Sequence, residues 1–228
     1  MKRTGLVRLE GLFYIYSMYN VPYFKAAEQK QVIAFMKHHP FIILCGVDEH
    51  NKPVATHVPV LIEERNEKIF LQAHVMKKQE HTNAFQHNRQ VLAIFYGPHT
   101  YVSASWYENK QTASTWNYQA VHAGGILKFM DEEKLHEVLT KLTEQFEANP
   151  HSPALVQQMD ENYVEKMMQA IVAFEIEITS VQHVFKLSQN RDEKTYHNII
   201  GHLNEQDADA KTIADLMKEN AANVFNQK

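Results

Sequence analysis

GPHTYVSASWYENKQTASTWNYQAVHAGG, residues 97–125, is the stretch on which the architecture turns. It carries both tryptophans, Trp106 and Trp116, together with Tyr101, Tyr107, Tyr118, His99, His122 and three of the seven glycines. The apolar run Val91-Leu92-Ala93-Ile94-Phe95-Tyr96 precedes it, and Ile126-Leu127-Lys128-Phe129-Met130 follows it. Apolar runs bounded by Gly-Pro and Gly-Gly predict strand, turn, strand. The expected strands cover 90–96, a segment beginning near Tyr101, and about 119–130. Tyr and Trp combine an apolar body with one hydrogen-bonding tip, which suits the wall of a planar-ligand site or a subunit interface. The plain alternative is a hairpin whose aromatics fill a core.

On the N-terminal side, 24–38 reads as a helix with Val32, Ile33, Phe35 and Met36 on its apolar face and Pro40 as its stop. Strands are expected at 41–47, 54–62 and 69–75, with a short helix over 76–88. Pro59 inside the second strand points to an edge, a bulge or a barrel rim, because proline gives the ladder no N–H. On the C-terminal side, Asp131 is placed to cap a helix running to Ala148, with Leu135, Val138, Leu139, Leu142 and Phe146 along one face. A shorter helix follows at 160–171. Residues 172–178 then alternate cleanly, sending Glu175 and Glu177 to solvent. A last strand at 181–187 leads into a helical tail in which Ile213, Leu216 and Met217 form a stripe. Six to eight short strands with short turns and interrupting helices imply a mainly β protein with flanking helices, an α+β split β-barrel. A doubly wound parallel sheet needs longer crossovers than several of these turns allow. The dinucleotide and phosphate-loop fingerprints are absent.

The chain has 228 residues, 44% of them hydrophobic and 22% charged, enough for a full core without staples. A net charge of −4 and the lack of a basic run do not suit a dedicated nucleic-acid binder. The lone Cys45 sits in an apolar run as a small hydrophobe, and an intrachain disulfide is impossible, which fits a reducing, cytoplasmic compartment. The fourteen histidines are scattered, without zinc spacing. No apolar run approaches the roughly 20 residues of a membrane span. Residues 1–17 read as an N-terminal extension, 18–200 as the main domain and 201–228 as a helical tail.

Three polar groups fall at predicted strand ends. The first is Thr56, His57 and Val58, followed by Pro59. The second is His74 with Lys77 and Lys78. The third is Lys186, Ser188, Gln189, Asn190 and Arg191. In an extended strand Lys186 and Ser188 point to one side. A cation, a hydroxyl and a nearby guanidinium make a phosphate grip, and with Trp and Tyr rings the set suits a phosphorylated planar cofactor. The alternative for each basic residue is simple contact with water.

Seven phrases in order also resemble a known family. They are MYNVPYF (18–24), HHPFIILCGV (38–47), ATHVPVLI (55–62), GPHTYVSASWY (97–107), TWNYQAVHAGG (115–125), AFEIEIT (173–179) and FKLSQNR (185–191). Together they are similar to the PaiB-type FMN-binding negative transcriptional regulators, over about residues 18–200. LQAHVMKKQEH is looser than the family pattern. The resemblance implies a split β-barrel of FMN-binding type and a homodimer with FMN at its interface. It implies Thr56, His57 and Val58 beside the flavin ring, with Lys77 and Lys78 near His74 as phosphate candidates. Tyr101, Ser103, Trp106, Trp116, Asn117 and Tyr118 shape the pocket, and Lys186, Ser188, Gln189 and Arg191 close it. The function implied is negative regulation of transcription in the cytoplasm, through DNA or through a regulatory partner protein. The alternative is a flavin-dependent oxidoreductase, a reductase or oxidase of a small substrate, with His57, His74 or Tyr101 as proton donor. Further alternatives are haem binding through an axial histidine and a cofactor-free dimeric scaffold.

Overall fold

The computed structural model describes residues 21–26 and 28–225. The expected N-terminal extension, 1–17, lies outside the described residues. The strands are β1 (Phe41–Val47), β2 (Pro53–Pro59), β3 (Leu61–Arg65), β4 (Lys68–Met76), β5 (Gln90–Val102), β6 (Thr115–Phe129) and β7 (Ile171–Lys186). The helices are α1 (Gln29–His38), α2 (Glu80–His87), α3 (Glu132–Glu147), α4 (Glu161–Met168), α5 (Glu193–Leu203) and α6 (Ala208–Phe225). The strands form one antiparallel sheet in the order β2-β1-β5-β6-β7-β4-β3. With its flanking helices this is the α+β split β-barrel that the sequence implied.

The helix expected over 24–38 begins only at Gln29, and β6 begins at Thr115 and not near 119. Three further differences decide which strands are continuous. The single strand expected over 54–62 is two strands. Pro59 ends β2, and the Val60 N–H donates outside the β2 and β3 ladders to the Pro40 carbonyl at 2.9 Å. β2 then pairs with β1, from Phe41↔Pro59 to Val47↔Pro53, while β3 pairs with β4, from Leu61↔Gln72 to Arg65↔Lys68. Gly97-Pro98 does not break β5. The β1–β5 ladder covers only Leu92 to Ile94 on the β5 side, so the missing proline N–H costs no bond to β1. The two strands expected at 172–178 and 181–187 are one continuous β7. Its glutamates are half-buried rather than free in solvent. Lys68 pairs with Glu177 at 2.6 Å, and Gln72 Nε2 donates to Glu175 at 2.7 Å.

By its contacts the chain groups into two compact units. One includes Ile33–Phe95 and His122–Val181. Its helical side is a cluster of Leu61, Leu135, Val138, Leu142, Val156, Val164, Met168 and Ala173. Each fully buried aliphatic side chain here contributes roughly 1.5–3 kcal/mol. α3 starts where expected, with the Asp131 carboxylate accepting from the Lys134 N–H at 3.0 Å. Phe146, at the far end of its apolar face, stays exposed. On β6, a Cβ on Gly125 would lie 2.5 Å from the Glu177 carbonyl oxygen, so only glycine lets the backbones approach.

The other unit includes Tyr96–Val121 and Gln182–Lys228. Its core joins Val102, Tyr107 and Leu187 to the inner faces of α5 and α6, among them Tyr196, Ile199, Leu203, Ile213 and Met217. Asp192 caps α5 by accepting from the Thr195 N–H at 2.8 Å. The Tyr196 hydroxyl donates to the Met217 carbonyl of α6 at 2.8 Å.

Candidate functional site

The sixteen residues singled out as cofactor contacts fall into two sets, one in each unit. In the first unit, β2 alternates as an edge strand should. Val58 is buried, Thr56 is half-buried on the same face, and His57 is exposed on the opposite face. The His57 ring stacks on exposed Phe41, with centroids 6.0 Å apart and planes at 27°. Thr56 and Val58 therefore share a side-chain face, and His57 does not. His74, on β4, pairs in register with Ala173. Burial lowers its pKa, and its Nδ1 is buried with no hydrogen-bond partner. Lys77 and Lys78 are exposed between β4 and α2. The Lys77 N–H donates to the Ala170 carbonyl at 2.9 Å, and its Nζ donates to the Met168 carbonyl at 3.4 Å.

In the second unit, the turn after β7 is held from three sides. Gln189 Nε2 donates to the Phe185 carbonyl at 2.6 Å, and Gln189 Oε1 accepts from the Leu187 N–H at 2.7 Å. Ser188 is buried with φ of 61° and donates to Asn117 Oδ1 at 3.0 Å. Asn117 is fully buried and donates to the Met217 sulfur at 3.5 Å. The Arg191 N–H closes the turn onto the Ser188 carbonyl at 3.0 Å. Ser188, Gln189 and Asn117 thus spend their polar groups on the turn. Lys186 donates to the Thr115 hydroxyl, and its Nζ lies 5.7 Å from the Phe24 ring centre. Burial, and then the charge of Arg191, lower the Lys186 pKa. The Arg191 guanidinium stacks over Tyr107 at 4.2 Å.

The aromatics of the opening stretch separate into inner and outer groups. Tyr107 is buried in the helical core, and Trp106 stacks on His202 with centroids 4.9 Å apart and planes at 20°. Trp116 is 52% exposed. His99 stacks on it at 6.0 Å and 29°, and Tyr101 meets it edge-on at 5.9 Å and 69°. Tyr96 lies 5.0 Å from the His99 ring. These rings offer an aromatic corner open to a planar partner. Ser103 lies half-buried at the end of β5, its hydroxyl 2.8 Å from that of Ser105, and Tyr118 is half-buried on β6.

Sequence reasoning missed Thr115, His183 and the part played by Tyr107. The Tyr107–Arg191 stack joins residues far apart in sequence, and no local spacing announces it. His183 is buried on β7. Its Nε2 accepts from the Ala26 N–H at 2.8 Å, and its carbonyl accepts from Lys25 Nζ at 2.7 Å. No helix of the described residues is long and apolar enough to cross a membrane.

The family described as "Putative FMN-binding domain" matches residues 18–180. The chain is 34% identical over 203 residues to "Protease synthase and sporulation protein PAI 2" of Bacillus subtilis (strain 168), covering 89% of this chain and 97% of that protein. Among solved structures it is similar to the FAD and heme binding protein from Mycobacterium smegmatis, with a TM-score of 0.53 at 14% identity, covering 71% and 72% of the two chains. It is also similar to the flavocytochrome Anf3 from Azotobacter vinelandii, with a TM-score of 0.50 at 14% identity, covering 75% and 74%. At such identities the two structures speak for the fold alone.

Proposed function

Because the chain belongs to the PaiB-type family of FMN-binding domains, we propose that it binds FMN and acts, as a cytoplasmic homodimer, as a negative regulator of transcription. The observation that carries the flavin part is the family match over residues 18–180. The similarity to a sporulation protein over 97% of that protein's length supports extending the reading to the whole chain.

Each set, taken by itself, has residue types suited to part of a phosphorylated planar group. Trp116, Tyr101 and His99 expose ring faces and edges in one unit, while Thr56 and Val58 share a strand face in the other. Lys77 and Lys78 in one unit, and Lys186 and Arg191 in the other, are the proposed partners for negative charge. His57 and His74 are proposed as polar neighbours of the flavin. Trp106, Asn117, Ser188 and Gln189 are proposed to support these contacts, since their polar groups or rings are engaged within the fold. Ser103 and Tyr118 complete the proposed pocket-shaping set. Bound FMN supplies redox chemistry, and the chain's part is to bind and orient it. With a net charge of −4, regulation is proposed to run through a partner protein or a small-molecule signal rather than through tight DNA binding.

The test is an absorption spectrum of the purified protein, followed by FMN titration monitored by flavin and tryptophan emission. Saturable quenching in the wild type, with most of the tryptophan component lost in Trp116→Phe, is the expected result. Absence of both a flavin band and saturable quenching overturns the flavin reading.

A further inference from the structure

Two buried polar atoms in one stacked pair lack partners. Tyr107 is 1% exposed, and its hydroxyl has no hydrogen-bond partner. Arg191 lies over that same ring at 4.2 Å, and its Nε is also buried without a partner. A buried donor left unsatisfied is costly, and native folds tolerate few. An acceptor brought from outside removes both costs at once.

The surroundings favour an anion as that acceptor. Among the described residues Arg191 makes no ion pair within 4 Å, and the adjoining carboxylate, Asp192, caps α5, with the Arg191 charge only the last of the causes that lower its pKa. Lys186 is close enough for the Arg191 charge to lower its affinity for a proton, and it is bonded to the Thr115 hydroxyl. Two cations that repel each other are both stabilised by a dianion placed against them. The Gln189 and Ser188 bonds hold the intervening turn, so Lys186 and Arg191 are placed before any ligand arrives.

We propose that Lys186, Arg191, Tyr107 and Thr115 form a binding site for the dianion of a phosphate monoester, with the Tyr107 hydroxyl as a direct ligand contact. A tetrahedral dianion has enough acceptor oxygens for an ammonium, a guanidinium and hydroxyls together, which a carboxylate lacks. Ser188 and Gln189 position the turn and do not touch the ligand. The proposal deepens the flavin reading, on which it rests where the phosphate is that of FMN, by adding Tyr107 and Thr115 to Lys186 and Arg191. Lys186 and Arg191 lie past residue 180, where the family match ends. The site stands whether the phosphate belongs to FMN or to a separate phosphorylated molecule.

The experiment measures binding of inorganic phosphate, FMN and riboflavin to the full chain in phosphate-free buffer, by calorimetry and thermal unfolding at matched ionic strength. The variants are Tyr107→Phe, which keeps the ring and the stack, and Arg191→Gln. The expected result is saturable phosphate binding that each variant weakens by about tenfold. If FMN is the source, FMN binds more tightly than riboflavin and Tyr107→Phe erases that advantage. If the source is separate, phosphate still binds to FMN-saturated protein. Phosphate binding without any flavin binding defeats the flavin reading and leaves this one standing. Phosphate binding equal in wild type and both variants, or no phosphate binding together with an FMN-to-riboflavin ratio that the variants leave unchanged, overturns the proposal.

Discussion

Ser188 donates its hydroxyl to Asn117 Oδ1 across 3.0 Å while its own backbone sits in the left-handed region, at φ of 61°. Both residues are buried, so the bond ties the turn after β7 to β6 where water cannot replace it. A strained backbone kept for the sake of one side-chain contact gives the contact a measurable signature.

Ser188→Ala keeps the strain and strands the Asn117 oxygen, at a cost of about 1–3 kcal/mol. Ser188→Gly loses the same bond but removes the left-handed penalty, roughly 1–2 kcal/mol. Urea denaturation is therefore expected to rank wild type above glycine and glycine above alanine. Equal midpoints for the two variants would remove the strain argument.

Tyr196→Phe tests the seam between α5 and α6. The lost hydroxyl leaves the buried Met217 carbonyl without its 2.8 Å donor, while the ring and its packing remain. The expected cost is about 1 kcal/mol. A loss of that size in the urea midpoint with an unchanged slope would be the confirming result.

His183 makes stability depend on pH in a defined direction. It is 7% exposed, and burial followed by the charge of Lys25 lowers its pKa from 6.5 to about 4. Above pH 6.5 neither state holds the proton, and the full stability is present. As pH falls from 6.5 toward 4 the unfolded chain takes up a proton that the folded chain refuses, so stability drops. At about 1.4 kcal/mol per unit the loss approaches 3 kcal/mol. His183→Gln keeps an acceptor for the Ala26 N–H and cannot titrate. Denaturation at pH 7 and pH 4.5 is expected to show a flatter pH dependence in the variant, and parallel curves would contradict the assignment.

Two glycine-to-alanine changes are expected to have opposite signs. At Gly125 the new Cβ would meet the Glu177 carbonyl oxygen at 2.5 Å and Ile176 Cγ2 at 2.6 Å, an overpacking cost of about 1–3 kcal/mol. At Gly201, inside α5, a Cβ has no neighbour within 4 Å, so alanine gains helix propensity worth about 0.5–1 kcal/mol. Thermal unfolding is expected to place Gly201→Ala above wild type by about 1–4 °C and Gly125→Ala below it.

Much of the fold was legible because local chemistry set it. β1 begins and ends at the expected residues, and Asp131 caps α3 as its position foretold. The strand breaks were less legible. Pro59 was a visible warning, but whether proline bends or ends a strand depends on where Val60 finds an acceptor, and that is Pro40. Gly97-Pro98 looked like a turn, yet the β1 ladder ends before it. Within the polar groups, identity was readable and occupation was not. Gln189 and Asn117 have the chemistry of ligand contacts, but Gln189 is engaged by its own turn and Asn117 by Ser188 and Met217. Tyr107 looked like one aromatic among several until Arg191 was placed over it.

The corner at Val60 also shapes how the chain must find its fold. On one side lies the hairpin of β1 and β2, on the other the hairpin of β3 and β4, and each closes over a short loop. The ladder from β4 to β7 instead brings together residues such as Lys68 and Glu177, 109 positions apart. Closing so long a loop costs chain entropy before any pairing repays it. The two hairpins are therefore expected to form early, and the capture of β7 by β4 is expected to come late. Until that step, one edge of β4 is open to any other strand that reaches it, and pairing between chains at that edge is the misfolding route this topology favours.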